Sequence, residues 1–245
     1  YSIGYMKGDR NLTRYWFFMI FFIANMQIII LSDNFLQLFF GWEGVGLASY
    51  ALIGFWNSDE KKDFVGSLNH KIRGLKQYYS PTHAGTKAFV TTKIGDVSFL
   101  IGILLLFYYA GTFDFVSLSS NTNWATILID KGMFVPIAIL IFGGAIGKSA
   151  QFPLQEWLPD AMAGPTSVSA LIHAATMVKA GVFLVLVIGP IFYNAAMVIE
   201  AIRPFFTIIA FIGAFTAFLA ASQAVVAKEI KKVLAYSTVS QIGYM

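Results

Sequence analysis

No cysteine occurs in the 245 residues, so they hold no disulfide, no thiolate zinc site and no cysteine-ligated iron–sulfur cluster. Charge is nearly as scarce. Asp, Glu, Lys and Arg make up 12% of the chain, whereas soluble domains carry roughly 25%. A globule so poor in charge could not cover its surface with polar groups. The net charge of +4 is diffuse, which argues against nucleic acid as a partner. There is no G-x-x-x-x-G-K-S/T phosphate loop and no G-x-G-x-x-G dinucleotide motif. Three histidines without cysteine make no metal constellation. No cofactor and no metal are therefore expected on this chain. Signal-peptide patterning is missing as well: Tyr1 opens a polar stretch, and Met245 falls within a helix-like pattern. The chain reads as an internal piece of a longer protein.

Apolar residues are what the chain has in excess. They make up 57%, with 24 Phe, 11 Tyr and 5 Trp, and the mean hydropathy is +0.68. So many rings need lipid or a partner around them. Open strands cannot cross lipid, because unpaired backbone groups are too costly there. The expectation is an all-α, polytopic transmembrane helix bundle. Six stretches reach the length of about 17–25 apolar residues that a span needs: Tyr15–Leu31, Phe35–Trp56, Ala88–Gly111, Met133–Phe152, Pro165–Ile188 and Pro204–Ala227. A seventh begins near Val233. Pro165, Pro190 and Pro204 fall at the expected span edges, where a missing N–H does least harm.

The cations give the orientation. With 1–14 on one side, six crossings put 57–87, 153–164 and 228–232 on that same side, together with 12 of the 17 Lys and Arg. The other side holds Lys131 and Arg203. By the positive-inside rule the first side is cytoplasmic. The longest connection, 57–87, is expected to be a polar cytoplasmic loop. It carries six Lys/Arg, three acids, His70 and His83.

Ionisable groups within the spans are the functional candidates, because a charge at mid-bilayer costs at least about 2.5–3.5 kcal/mol and usually faces a protein interior or a hydrated cavity. Glu43 lies in GWEGVGLASY, among glycines that permit close helix packing. Lys93 and Asp96, at i and i+3, share a helix face and can pair. Lys148 lies in GGAIGKSAQFPLQEWLPDAM, where Gly143, Gly144 and Gly147 are expected to loosen the helix and Pro153 and Pro159 follow. An interrupted helix lining a polar cavity is a mark of transporters. His173 and Lys179, six residues apart on one regular helix, would point about 120° apart. A lysine in low dielectric loses its charged form unless a carboxylate is near, so making and breaking such pairs moves protons. The six residues Glu43, Lys93, Asp96, Lys148, His173 and Lys179 have the chemistry of a proton relay.

The runs GWEGVGLASYALIGFW, TKIGDVSFL, GKSAQFPLQEWLPDAMAGPTSVSALIHAATMVKAG and KKVLAYSTVSQIGYM resemble the antiporter-like proteins. The closest resemblance is to the L-type subunit (subunit 5) of respiratory complex I and its archaeal F420H2 dehydrogenase relatives. The large subunit of multisubunit Na⁺/H⁺ antiporters is a cousin. The resemblance implies two inverted five-helix repeats. Spans one to five here would be one repeat, with the interrupted helix fourth, and the rest would begin the second. It implies that Glu43 is the family's key glutamate, Lys148 the lysine of the interrupted helix and His173 the histidine of the next. Asp96 matches a family acid, and Lys93 stands where many members have Arg. Lys179 stands where many complex I chains carry no charge and where antiporter and archaeal branches more often carry lysine. The implied function is proton translocation by a membrane-arm subunit of an NADH-, F420H2- or ferredoxin-driven quinone oxidoreductase. A Na⁺/H⁺ antiporter subunit is the alternative. The implied partners are other membrane subunits, which handle quinone or methanophenazine, and the lipid of a prokaryotic cell membrane.

Overall fold

The computed structural model describes residues 1–60, 65–72, 75–195 and 199–245. The side chains of 61–78, among them His70 and five cations of the 57–87 connection, lie outside what it describes. Apart from one β-hairpin the fold is all-α and transmembrane. After a single turn α1 (Ser2–Tyr5), helices α2 (Leu12–Ile30) and α3 (Phe35–Ile53) form an antiparallel hairpin. Asn34 caps α3 by accepting from the Gln37 N–H at 2.8 Å, which lets four residues, Leu31 to Asn34, reverse the chain. Ser80 caps the long α4 (Pro81–Ala110), with Pro81 at its first position. Gly111 ends it in a left-handed conformation at φ 72°.

Short helices α5 (Phe115–Ser120) and α6 (Asn123–Asp130) follow, then α7 (Phe134–Lys148), one turn α8 (Trp157–Asp160) and a 3-10 turn Ala161–Ala163. Next come α9 (Thr166–Ala170), a π turn Leu171–Ala175 and α10 (Met177–Ala195). Helices α11 (Ile199–Val226) and α12 (Ile230–Tyr244) end the chain. Among the described residues, five helical segments are long and apolar enough to cross a membrane, six if α6 and α7, bent by 107°, count as one.

Several expectations about boundaries need correction. Pro190 lies inside α10 and not at a span edge, whereas Pro204, although inside α11, falls at the start of the apolar span Ile202–Val226. Helix α11 begins before its apolar span, and lipid-embedded helices such as α10 tolerate proline because packed neighbours re-satisfy the freed carbonyls. The 57–87 connection is not all loop. It carries an antiparallel hairpin, β1 (Val65–Ile72) with β2 (Leu75–Tyr79), and the first turns of α4. Residues 153–164 are not an exposed connection either: Trp157, Leu158 and Ala161 are buried.

Helices in lipid gain little from hydrophobic burial against each other, so close packing at small residues carries the association. The α4–α7 interface is the main case. A Cβ on Gly95 would stand 2.6 Å from the Gly143 carbonyl oxygen and 3.0 Å from the Gly147 Cα. The glycines before Lys148 therefore let two backbones touch and do not loosen the helix, which runs unbroken through Lys148. The break comes just after it. Ala150 takes a left-handed φ of 50°, and the Gln151 N–H reaches back to the Ile146 carbonyl at 3.0 Å. Trp157 then donates to the Gly147 carbonyl at 3.0 Å, replacing part of the lost ladder.

Candidate functional site

Three helices bring four of the charged residues together. Helix α3 carries Trp42, Glu43 and Gly46, α4 carries Lys93 and Asp96, and α7 ends on Lys148. Lys93 does not pair with Asp96 one turn away. It forms an ion pair with Glu43, with both side chains about one-third exposed (33% and 29%). Asp96 pairs instead with Lys148, Oδ2 to Nζ at 3.3 Å, and both side chains are fully buried. The turn of α4 between Lys93 and Asp96 joins the two pairs. The result is an alternating row of acid, base, acid, base that runs from a half-exposed flank into the bundle. Tertiary packing overrides the local i,i+3 pair because each α4 charge finds an opposite charge on another helix.

Two residues outside the charged set shape this site. The Trp42 indole N–H donates to Asp96 Oδ1 at 2.7 Å, and the Lys148 ammonium lies 5.9 Å from the centre of the same ring. Gly46 leaves room for the lysine head: a Cβ there would stand 2.6 Å from Lys148 Nζ. Complete burial also excludes a lysine that snorkels to the membrane surface. Lys148 Nζ and Asp96 Oδ2 meet no further hydrogen-bond partner among the described residues. A pair with so little other support depends on its own geometry.

His173 and Lys179 both line a cavity of about 440 Å³, with Lys231, Thr238 and Gln241 of α12 on the opposite wall. They share this cavity although six positions on a regular helix would set them about 120° apart. The π turn at Leu171–Ala175 adds a residue to one turn, and Thr176 leaves helical geometry at φ −135°, ψ −87°, so a count of 100° per residue fails across it. His173 is buried, and neither ring nitrogen has a hydrogen-bond partner among the described residues. The cavity wall is mainly apolar, with the hydroxyls of Ser169, Ser237 and Thr238 among its polar groups.

Sequence reasoning missed Trp42, Gly46 and Asp160. Trp42 and Gly46 flank Glu43 in GWEGVG, and nothing in spacing tells that they face a lysine over 100 residues away. Asp160 sits in the short helix α8 between Lys87 Nζ (2.6 Å) and Lys232 Nζ (3.3 Å).

Spans of this length, an interrupted helix and a buried ion pair between helices define a polytopic transmembrane helix bundle. Residues 72–245 match the family described as NADH:quinone oxidoreductase/Mrp antiporter, transmembrane. The whole chain is 44% identical to NADH-quinone oxidoreductase subunit L of Rickettsia felis, covering 34% of it. It is 43% identical to NAD(P)H-quinone oxidoreductase chain 5 of Synechocystis, covering 32% of that protein. Among solved structures, the Mrp complex of Dietzia sp. DQ12-45-1b superposes with a TM-score of 0.74 at 32% identity, over 94% of this chain and 22% of that one. The archaeal membrane-bound sulfane sulfur reductase shares the fold, with a TM-score of 0.75 at 22% identity over 99% of this chain and 36% of that one. The chain belongs to the NADH:quinone oxidoreductase/Mrp antiporter transmembrane family and is an integral membrane protein. It spans about a third of the length of the relatives it matches.

Proposed function

We propose that this chain is the proton-translocating part of a membrane-arm subunit in a complex I-like quinone oxidoreductase. Redox chemistry in partner subunits, which also handle the quinone or methanophenazine, would drive it. The observation that carries the reading is the buried Asp96–Lys148 pair set directly behind the half-exposed Glu43–Lys93 pair. Drawing Asp96 toward Lys93 would weaken its hold on Lys148, and a lysine in low dielectric without its carboxylate releases its proton. Returning Asp96 would restore the charge. His173 and Lys179, on the cavity beside α12, are the next groups able to take the proton onward. The cation-rich segments 1–14 and 57–87 face the cytoplasm in this reading.

Lys148→Ala in the full complex tests it. Proton pumping per electron transferred should fall sharply while the complex still assembles. An unchanged stoichiometry overturns the proposal. The likeness to the Mrp complex at 32% identity favours a second reading, a Na⁺/H⁺ antiporter subunit using the same residues. Vesicles without redox substrate separate the two. A proton gradient that collapses when Na⁺ is added supports the antiporter, and one that persists supports the redox-driven pump.

A further inference from the structure

Asp160 takes no part in the relay, yet it is a nearly buried acid, 5% exposed, with a lysine on each oxygen. Lys87 comes from α4 and Lys232 from α12, so one carboxylate ties three separate segments together. The lysine side chains are themselves only 23% and 17% exposed, so solvent screens the bridge weakly.

Its place in the fold is specific. Met162, two residues past Asp160, and Lys231, beside Lys232, both line the cavity that holds His173 and Lys179. The bridge itself is not part of the lining but adjoins it in the chain on both sides. It joins the wall built from the segment after the helix break to the wall built from α12, which presents Ser237, Thr238 and Gln241.

We propose that Asp160 is a positioning residue that latches α12 against the broken-helix segment and holds the adjoining cavity closed. Lys87 anchors the carboxylate to α4, the helix that also carries Lys93 and Asp96. Lys232 makes the closure itself. Losing Lys232 frees α12, whereas losing Lys87 leaves α12 held through Asp160. The latch would matter for transport only if the cavity carries protons as proposed above. Closure itself is read without any transport.

The test uses thiol labelling in the full complex. Ser169 is buried and lines the cavity, and these 245 residues contain no cysteine, so Ser169→Cys reports opening. Labelling by a small water-soluble maleimide should speed up roughly fivefold in Asp160→Asn and Lys232→Met, the change that losing one partly exposed ion pair gives. It should stay within about twofold of the parent in Asp160→Glu and Lys87→Met, where α12 remains held. If Asp160→Asn does not assemble, the Lys232→Met and Lys87→Met pair decides. Equal labelling in Lys232→Met and the parent overturns the latch, as does equal acceleration in both lysine variants. If the chain proves not to move protons, the relay fails and the labelling result stands unaffected.

Discussion

Lys148 Nζ lies 3.3 Å from Asp96 Oδ2 with neither side chain reaching solvent, and the Trp42 indole donates to the other oxygen of that carboxylate. Each charge is tolerable only because of the other. Removing one partner of a buried pair costs about 3–5 kcal/mol, while replacing both with apolar groups of similar volume is often neutral. Asp96→Leu alone should therefore lower the thermal midpoint of the assembled complex markedly. Asp96→Leu with Lys148→Met should recover most of that loss. A double variant no more stable than the worse single one would contradict this account.

Gly46 controls where the lysine head can sit. In Gly46→Ala the new methyl, 2.6 Å from Nζ, must displace it, because Trp42 and Asp96 enclose it on the other sides. Proton translocation should drop roughly tenfold, as about 1.4 kcal/mol of misplacement gives, with assembly retained. Gly4→Ala, where nothing lies within 4 Å, is the matched control and should be silent.

The α4–α7 contact depends on Gly95. Alanine there meets the Gly143 carbonyl oxygen at 2.6 Å, and two backbones cannot move apart as a flexible side chain can. The overpacking should cost about 1–3 kcal/mol. Thermal unfolding of the complex should begin earlier, and transport should fall with it because Asp96 rides on the same helix.

Outside the spans, Asp114 caps α5, and hydrogen bonds from the Ser117 side chain and from its backbone N–H, the latter at 2.6 Å, hold the Asp114 carboxyl below its usual 3.8. A depressed pKa means stability that is present above the unfolded value and lost as pH falls through the folded one. The Ser117 amide should stay protected from hydrogen exchange at neutral pH and lose protection only below about pH 3.8. In Asp114→Ala that protection should be low at every pH.

The six charged candidates were legible because an ionisable residue in an apolar run is conspicuous without any structure. Their pairing was not. Lys93 and Asp96 satisfy the i,i+3 rule, yet each reaches across to another helix, since α3 and α7 offer closer opposite charges than α4 offers itself. The His173–Lys179 geometry failed for a different reason. The π turn between them cannot be read from a sequence that fits a regular α-helix equally well. Glycines mislead in the same way. Gly143 and Gly147 read as a weak point, whereas they are where α7 presses against α4.

The amino-acid sequence alone determined the solvent this chain lives in, the approximate positions of most of its spans, and which side chains are too costly to be in lipid by accident. Those properties are sums over local composition, and a transfer free energy needs no knowledge of neighbours. Tertiary structure decided which acid meets which base, that the helix breaks after Lys148 and not before it, and that Asp160 joins three segments more than 70 residues apart. Such outcomes depend on Coulomb energies and close packing, which fall off within a few ångströms. Only the folded arrangement sets distances on that scale.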